Sequence, residues 1–558
     1  MIERLSFMMP EIALFVTTCV VMVVGLSRVQ QTRNATAVMA GLGIIVAGVL
    51  AYFTTPDGAD AGNKSAGQVL LPHMAAYMKL VIAGVGLLLL MVQAGTVDRV
   101  DEAAISAGRR PYDALRANRA EYYAFFLFSL TGLMLCASAD SLIWLFLALE
   151  LTSLPTYIMV TISTARNRSR EAGVKYFFLG ALGAAVFLYG FALIYGGTGC
   201  TNLNDIALSF MTGGINSIAM AGLLLSVLGL GFKIAAVPMH FYTADVYEGA
   251  APQVSGFLAF VPKAAGFIAL LLLLSTAGWH FERGSSEPSL SQVLTGGITR
   301  ASEFGRSLPE SVRLLLWVMA ALTMTIGNVL ALLQTSVKRT LAYSSVAHSG
   351  YMLVGVVAGP GDTFARSGIS AVLFYLLSYG VMSTGTFAVL AAMERKAGPD
   401  GEAREVDQFD DLRGLTATHP LLGWVMTICS LSLLGLPPLL GFFGKLPLFT
   451  SAIHAREYVL VIVLGLNSAI AAFYYLRLAF FPFLEKKDEF VEPILMSPFG
   501  SRTLGAIVSA AGVIVLAVIG SRVMAGAELA GSTHVQAVES VPMPAHPPET
   551  TQPGETPG

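Results

Sequence analysis

Leu228–Phe267 reads LGLGFKIAAVPMHFYTADVYEGAAPQVSGFLAFVPKAAGF. Two lysines, Lys233 and Lys263, sit in otherwise apolar runs, with Pro238, His240 and an acidic loop between them. A lysine at the middle of a bilayer costs roughly 2.5–3.5 kcal/mol on insertion scales, so an ionisable group there is by default a working group. Lysines in that setting are candidates for carrying protons.

The composition agrees with a membrane setting. Of 558 residues, 55% are hydrophobic and 13% charged, with mean hydropathy +0.68. Soluble domains carry about 25% charged residues, roughly twice this share. A net charge of -2 gives no electrostatic case for a nucleic-acid partner. The four cysteines (Cys19, Cys136, Cys200, Cys429) are scattered without a CxxC pair, which argues against an iron–sulfur cluster or zinc site made by this chain alone. Cys19, Cys136 and Cys429 fall in apolar runs and are expected to pack there. The start, MIERLSFMMPE, leads into an apolar run without a small-residue cleavage site, so the first helix is expected to be retained.

A helix needs about 20 predominantly apolar residues to span a bilayer. Such runs fall near 9–27, 35–53, 75–95, 120–138, 141–161, 172–196, 215–237, 254–277, 312–334, 337–358, 368–393, 418–451, 457–483 and 503–525. They predict an all-α polytopic membrane protein of about 14 transmembrane helices, with backbone polar groups satisfied internally. The 418–451 run is too long for one straight span and holds Gly435, Pro437, Pro438, Gly441 and Gly444, so a helix broken in the middle is expected there.

Loops alternating with the Arg28/Arg33 loop hold most of the basic residues, including those of 99–119, ARNRSR at 165–170, Lys338–Arg339 and 394–413. The positive-inside rule puts these loops in the cytoplasm and both termini outside. The expected organisation is three spans and a cytoplasmic loop in 1–115, a five-helix unit (helices 4–8) in 116–279 and an extracytoplasmic insertion in 280–311. A second five-helix unit (helices 9–13) follows in 312–485, then a last span in 486–530. The tail at 531–558, rich in Pro, Glu and Thr, is expected to be disordered.

The two units echo each other. Helices four to eight carry Glu150, Lys175, Lys233 with Pro238, then Lys263; helices nine to thirteen carry Lys338, His348 and the break between Pro437 and Lys445. Proline-interrupted helices in matching positions of two halves point to a transport site at the interface of two inverted five-helix repeats, each with a broken helix. Proline is also common in membrane helices, so two breaks can coincide without a repeat.

Glu150, mid-helix in WLFLALELTSLPTY, must be paired, protonated or beside a wet cavity. Either it is a neutral acid on a backbone carbonyl, or it pairs with a lysine of the next helix, for which Lys175 is the expected partner. Lys175 lies close enough to the cytoplasmic end for snorkelling to be its rival reading. Pro238 should leave the Ile234 carbonyl without its donor and so make room for water beside Lys233; snorkelling is again the rival. Lys263 is too deep in its helix for that, and Pro262 should disturb the turn around it. Lys445, after the second break, is similarly enclosed.

His240 stands where it could pass protons between Lys233 and Lys263, and His348 lies mid-helix near Ser344, Ser345 and Tyr351. Histidine titrates nearest neutrality, yet a lone buried histidine is as readily a satisfied core residue. Lys79, Lys338, Arg339 and Arg477 read as anchors near helix ends. Asp245 and Glu248 either guide protons inward or shape a solvated loop. The deep groups (Glu150, Lys175, Lys233, Lys263, His348, Lys445) make a row of acid and base sites such as a proton relay requires.

Four stretches carry a resemblance: ALELTSLPTY around Glu150, GFKIAAVPMHFYTADVYEGAAP at 231–252, QTSVKRTLAYSSVAHSGYML at 334–353 and GLPPLLGFFGKLPLF at 435–449. Together they resemble subunit N of the proton-pumping NADH:quinone oxidoreductase, respiratory complex I, over roughly residues 120–482. Subunits L and M and the multi-subunit cation/proton antiporters are close relatives. The resemblance implies that both five-helix units are antiporter-like. It implies that Glu150 and Lys175 are the charged pair, Lys233 the lysine of the first broken helix, Lys263 the central lysine and Lys445 that of the second broken helix. It also implies a proton-translocating subunit without its own cofactor, with NAD, FMN, iron–sulfur clusters and quinone held by partner subunits. The expected partners are other membrane subunits and lipids, and the expected location is a bacterial plasma membrane. A sodium/proton antiporter subunit is the alternative, and a membrane scaffold with purely structural lysine pairs a third reading. The 279–311 insertion and the proline-rich tail depart from shorter family members.

Overall fold

The computed structural model describes residues 2–54, 70–94, 105, 107–109, 119–164, 167–279, 308–395, 404–485, 494–496 and 500–539. The N-terminal group is α1 (Ile2–Phe7), α2 (Met9–Gly25), α3 (Gln30–Phe53) and α4 (Pro72–Val92). A first unit follows with α5 (Arg119–Ala137), α6 (Leu142–Ile162), α7 (Asn167–Thr198), α8 (Leu203–Gly213), α9 (Ser217–Lys233), α10 (Thr243–Gly249) and α11 (Pro252–Thr276). The second has α12 (Glu310–Leu332), α13 (Val337–Ala358), α14 (Gly368–Ala392), α15 (Leu415–Thr418), α16 (Pro420–Leu434), α17 (Leu440–His454) and α18 (Tyr458–Phe480). The chain closes with α19 (Gly500–Val518) and α20 (Gly520–Glu539).

Among the described residues, 11 helices are long and apolar enough to cross a membrane, while α2, α9 and α16 are shorter apolar helices. Each segment expected from hydropathy overlaps one of these. The starts are fixed by side-chain caps: Ser141, Asn216, Ser336 and Ser367 accept from backbone N–H groups of α6, α9, α13 and α14. Such caps satisfy donors that a helix cannot satisfy itself.

Two passes are interrupted, and the interruptions are built alike. After α9, Ala235 turns to φ 56; Ala236 N bonds Gly231 O at 2.8 Å and Ala235 N bonds Phe232 O at 3.0 Å. After α16, Gly435 turns to φ 93; Leu436 N bonds Leu431 O at 3.2 Å and Gly435 N bonds Ser432 O at 2.9 Å. Both are Schellman endings, a left-handed residue closing the last turn. Pro238 therefore does not sit inside a helix as expected. The helix has already ended, and Ile234 is its cap. Pro262, expected to disturb its turn, lies inside the continuous helix α11.

α11 is buried along its length except at Ser275, and α14 except at Leu377. With α13 they form the centre, and the other helices wrap around it with apolar outward faces such as Val23, Leu42, Ile462 and Phe473. An outward face of that kind suits hydrocarbon, not water. Two features depart from expectation. The last span is two helices, and α20 runs to Glu539 past the expected start of a disordered tail, packing on α4 and α14 with Ala527 and Ala530 buried. A small antiparallel sheet pairs Met393–Arg395 with Arg404–Glu405 and Ile494–Met496. The insertion at 280–311, up to residue 307, and the tail beyond 539 lie outside the described residues.

Candidate functional site

Glu150 and Ser153 stand one helical turn apart on α6 and meet the last residue of α9. Lys233 Nζ is 3.0 Å from Glu150 Oε1 and 2.6 Å from Ser153 Oγ. The Lys233 side chain is 2% exposed and that of Glu150 18%. The ammonium lies 5.6 Å from the centre of the Phe187 ring, at a helix C-terminus where the backbone dipole favours a cation.

This corrects the expected pairing of Glu150 with Lys175. Lys175 is 44% exposed and pairs with Glu171 at 2.8 Å and Asp245 at 3.3 Å. It lies near the start of a long helix whose first turns lead out to a charged rim, so its stem reaches water. Asp245 and Glu248 on that rim are tied to Arg339 at 3.1 and 2.7 Å, and Arg168 stands 3.6 Å from Glu248. A cavity of about 220 Å³ opens between Arg168, Glu171, Lys175, Asp245 and Glu248. Lys338, expected as an anchor, is buried and donates to the carbonyls of Glu248 and Ala250 at 2.9 and 3.0 Å. It thereby caps the end of α10.

Lys263 projects from α11 onto α13. Its Nζ donates to the Ser345 carbonyl at 2.5 Å and to Ser349 Oγ at 2.9 Å. It makes no ion pair among the described residues, so the dipoles of α13 are its polar surroundings. His348 shares that helix face, since residues three and four apart are neighbours. His348 Nδ1 is 2.6 Å from Tyr375 Oη and Nε2 is 2.6 Å from Tyr475 Oη; Tyr475 also bonds Ser344. Both ring nitrogens are therefore engaged by phenol hydroxyls, which can donate or accept.

Lys445 donates to the Leu434 carbonyl at 2.8 Å, the open end of α16, and lies 5.0 Å from the centre of the Tyr351 ring. Tyr351 Oη accepts from Asn328 at 2.9 Å, and Asn328 accepts in turn from Tyr474 at 2.8 Å. The contacts of Lys263, of His348 and of Tyr351 thus all gather on α13, with Lys445 against the Tyr351 ring. His240 is half-buried after the first break, and its Nδ1 has no hydrogen-bond partner among the described residues. No hydrogen bond joins it to Lys233 or Lys263 among them.

The sequence reading names Ser345 beside His348 but not the hydroxyls of Ser153, Ser349, Tyr375 and Tyr475. Their signal was present for the serines, which fall three or four residues from Glu150 and beside His348. For Tyr375 and Tyr475 there was none, because tertiary packing brings them in. Lys79 is no anchor: it is buried and ion-paired with Glu11. Among the described residues no group of three or more His, Cys, Asp and Glu could hold a metal ion.

Residues 139–283 and 293–471 match the family described as NADH:quinone oxidoreductase/Mrp antiporter, TM. The NADH-quinone oxidoreductase subunit N of Trichlorobacter lovleyi is 35% identical, over 94% of this chain and 97% of the relative. A chain of respiratory complex I from Thermus thermophilus is 28% identical and superposes with TM-score 0.69, over 92% of this chain and 98% of that one. A chain of the Mrp complex from a Dietzia species shares the fold at TM-score 0.65 with 20% identity, over 95% of this chain and 99% of that one. With its broken passes and buried lysines, the chain belongs to the subunit N branch of the NADH:quinone oxidoreductase/Mrp antiporter membrane family.

Proposed function

We propose that this chain is a proton-translocating membrane-arm subunit of respiratory complex I, working beside other membrane subunits while other subunits of the complex carry out the NADH-to-quinone reaction. The observation that carries the reading is the contrast between two buried lysines: Lys233 paired with Glu150, and Lys263 held, among the described residues, by hydroxyl and carbonyl dipoles of α13 alone. A proton arriving at Glu150 removes the charge that holds the Lys233 ammonium. Lys233 then gives up a proton more readily, and the next acceptor inward is Lys263. From there Ser349, His348, Tyr475 and Tyr375 offer exchangeable hydrogens toward Lys445. Lys175, with Asp245 and Glu248, serves as the water-facing collector, and His240 serves through water beside the first break. This chain needs no redox group for that work.

The first unit makes five passes (α5, α6, α7, α9 with α10, and α11), and the second makes five as well (α12, α13, α14, α16 with α17, and α18). An odd number of passes turns the second unit over relative to the first, the arrangement of inverted repeats with a site at their interface. The basic loops favour a bacterial plasma membrane with both termini on the outer side. A sodium/proton antiporter subunit shares the fold, but the subunit N likeness along nearly the whole chain favours complex I. The test is Lys263→Ala in the whole complex reconstituted in vesicles: NADH oxidation by an artificial acceptor stays intact while proton pumping collapses. Full pumping in that variant removes Lys263 from the path.

A further inference from the structure

A second buried ion pair lies outside both five-helix units. Lys79 Nζ on α4 is 2.8 Å from Oε1 of Glu11 in the first turn of α2, and the two side chains are 1% and 2% exposed. Lys79 also donates to the Phe7 carbonyl at 2.7 Å and lies 3.9 Å from the centre of the Phe7 ring. Ser138 Oγ donates to the same Oε1 at 2.7 Å. Glu11 Oε2 is buried and makes no hydrogen bond among the described residues.

The pair sits at the end of the bundle opposite the charged rim. Ser138 follows α5 in a turn bound to the far end of α7: Leu142 N bonds Thr201 O at 2.9 Å and Leu203 N bonds Asp140 O at 2.8 Å. Lys175 stands near the other end of α7, roughly 35 Å away along the helix at 1.5 Å per residue. α5 also touches the helix of Lys263, since Cys136 Sγ, two residues before Ser138, donates to the carbonyl of Ala265 at 3.6 Å. Apolar residues of similar volume often replace a buried ion pair without loss of stability. Stability alone therefore does not account for a carboxylate kept here with one oxygen unbonded among the described residues.

We propose that Glu11 is a proton-release site: it takes a proton on Oε2 and passes it to the aqueous side opposite the rim, with Lys79 pairing the carboxylate between events. This rests on the proton-translocating reading above. Protonation makes the neutral acid and leaves the Lys79 ammonium on the Phe7 carbonyl and ring. Loss of the same proton to water restores the pair, and only O–H bonds form or break.

The test uses whole complex in vesicles carrying Glu11→Gln, or Glu11→Leu with Lys79→Met, and reads protons moved per electron beside ferricyanide reduction. Glu11→Gln keeps the side-chain shape and is expected to assemble with a lowered ratio. The double variant is expected to assemble and stay low; a restored wild-type ratio there means a structural anchor and overturns the proposal. Where assembly fails, redox-difference infrared spectra of Glu11→Asp decide. A shifted carboxylic-acid C=O band is expected, and a spectrum identical to wild type overturns the proposal. Lys263→Ala run in parallel separates the two claims. Loss of pumping there with a normal ratio in Glu11→Gln sinks the release site alone, and full pumping there sinks the reading beneath it.

Discussion

Lys233 Nζ and Glu150 Oε1 are 3.0 Å apart, joining the end of α9 to the middle of α6 with Ser153 as the third member. Among the described residues α9 makes no other ion pair.

Removing one member should therefore hurt more than removing both. Breaking a buried pair from one side costs about 3–5 kcal/mol, and the partial exposure of Glu150 puts Glu150→Gln near the lower end. Less assembled complex and little pumping are expected. Glu150→Gln with Lys233→Met should recover assembly but not pumping. Recovered pumping in vesicles would take the pair out of the proton path.

Lys175→Ala should be mild. The side chain is 44% exposed, and exposed pairs contribute about 0.2–1 kcal/mol. Turnover should slow slightly at low proton concentration, with protons per electron unchanged. A collapse equal to that of Glu150→Gln would show that the rim does more than collect.

Tyr475→Phe keeps the ring and deletes the hydroxyl shared by His348 and Ser344. A positioned proton-transfer group contributes typically about 10²–10⁴-fold, so proton-coupled turnover should fall by about 10²-fold while assembly holds. Stopped-flow proton uptake reads the change. Wild-type uptake would exclude this phenol from the route.

Gly435→Ala places a side chain on a residue at φ 93, with its Cβ 2.9 Å from Lys445 Cδ. A non-glycine residue in such a region costs about 1–3 kcal/mol, and the Lys445 stem must give way. Lower thermal stability of the purified complex and slower pumping are expected together. Unchanged values for both would mean that the second break tolerates a side chain.

The long helices were legible because apolar runs of membrane-spanning length leave the backbone few alternatives. Lys263 and Lys445 were legible for the same reason: a cation amid leucine and phenylalanine stands out. Partner choice was not legible. Closeness in sequence points Glu150 to Lys175, but the chain ends α9 early and swings Lys233 in instead. Lys79 looked like an anchor because its distance from the helix start was visible and its contact with Glu11, from another helix, was not. The two breaks were visible as proline and glycine, yet the left-handed residue of the first is Ala235, a type that gives no such signal.

Helix α13 carries Lys338 and Arg339 at its base and Ser345, His348 and Ser349 farther along. The base is fastened to α10 by Lys338 and to the rim acids by Arg339, while the upper turns hold Lys263. One continuous helix therefore carries both the rim's basic partners and the acceptors of Lys263, so a substitution that breaks it disturbs both at once.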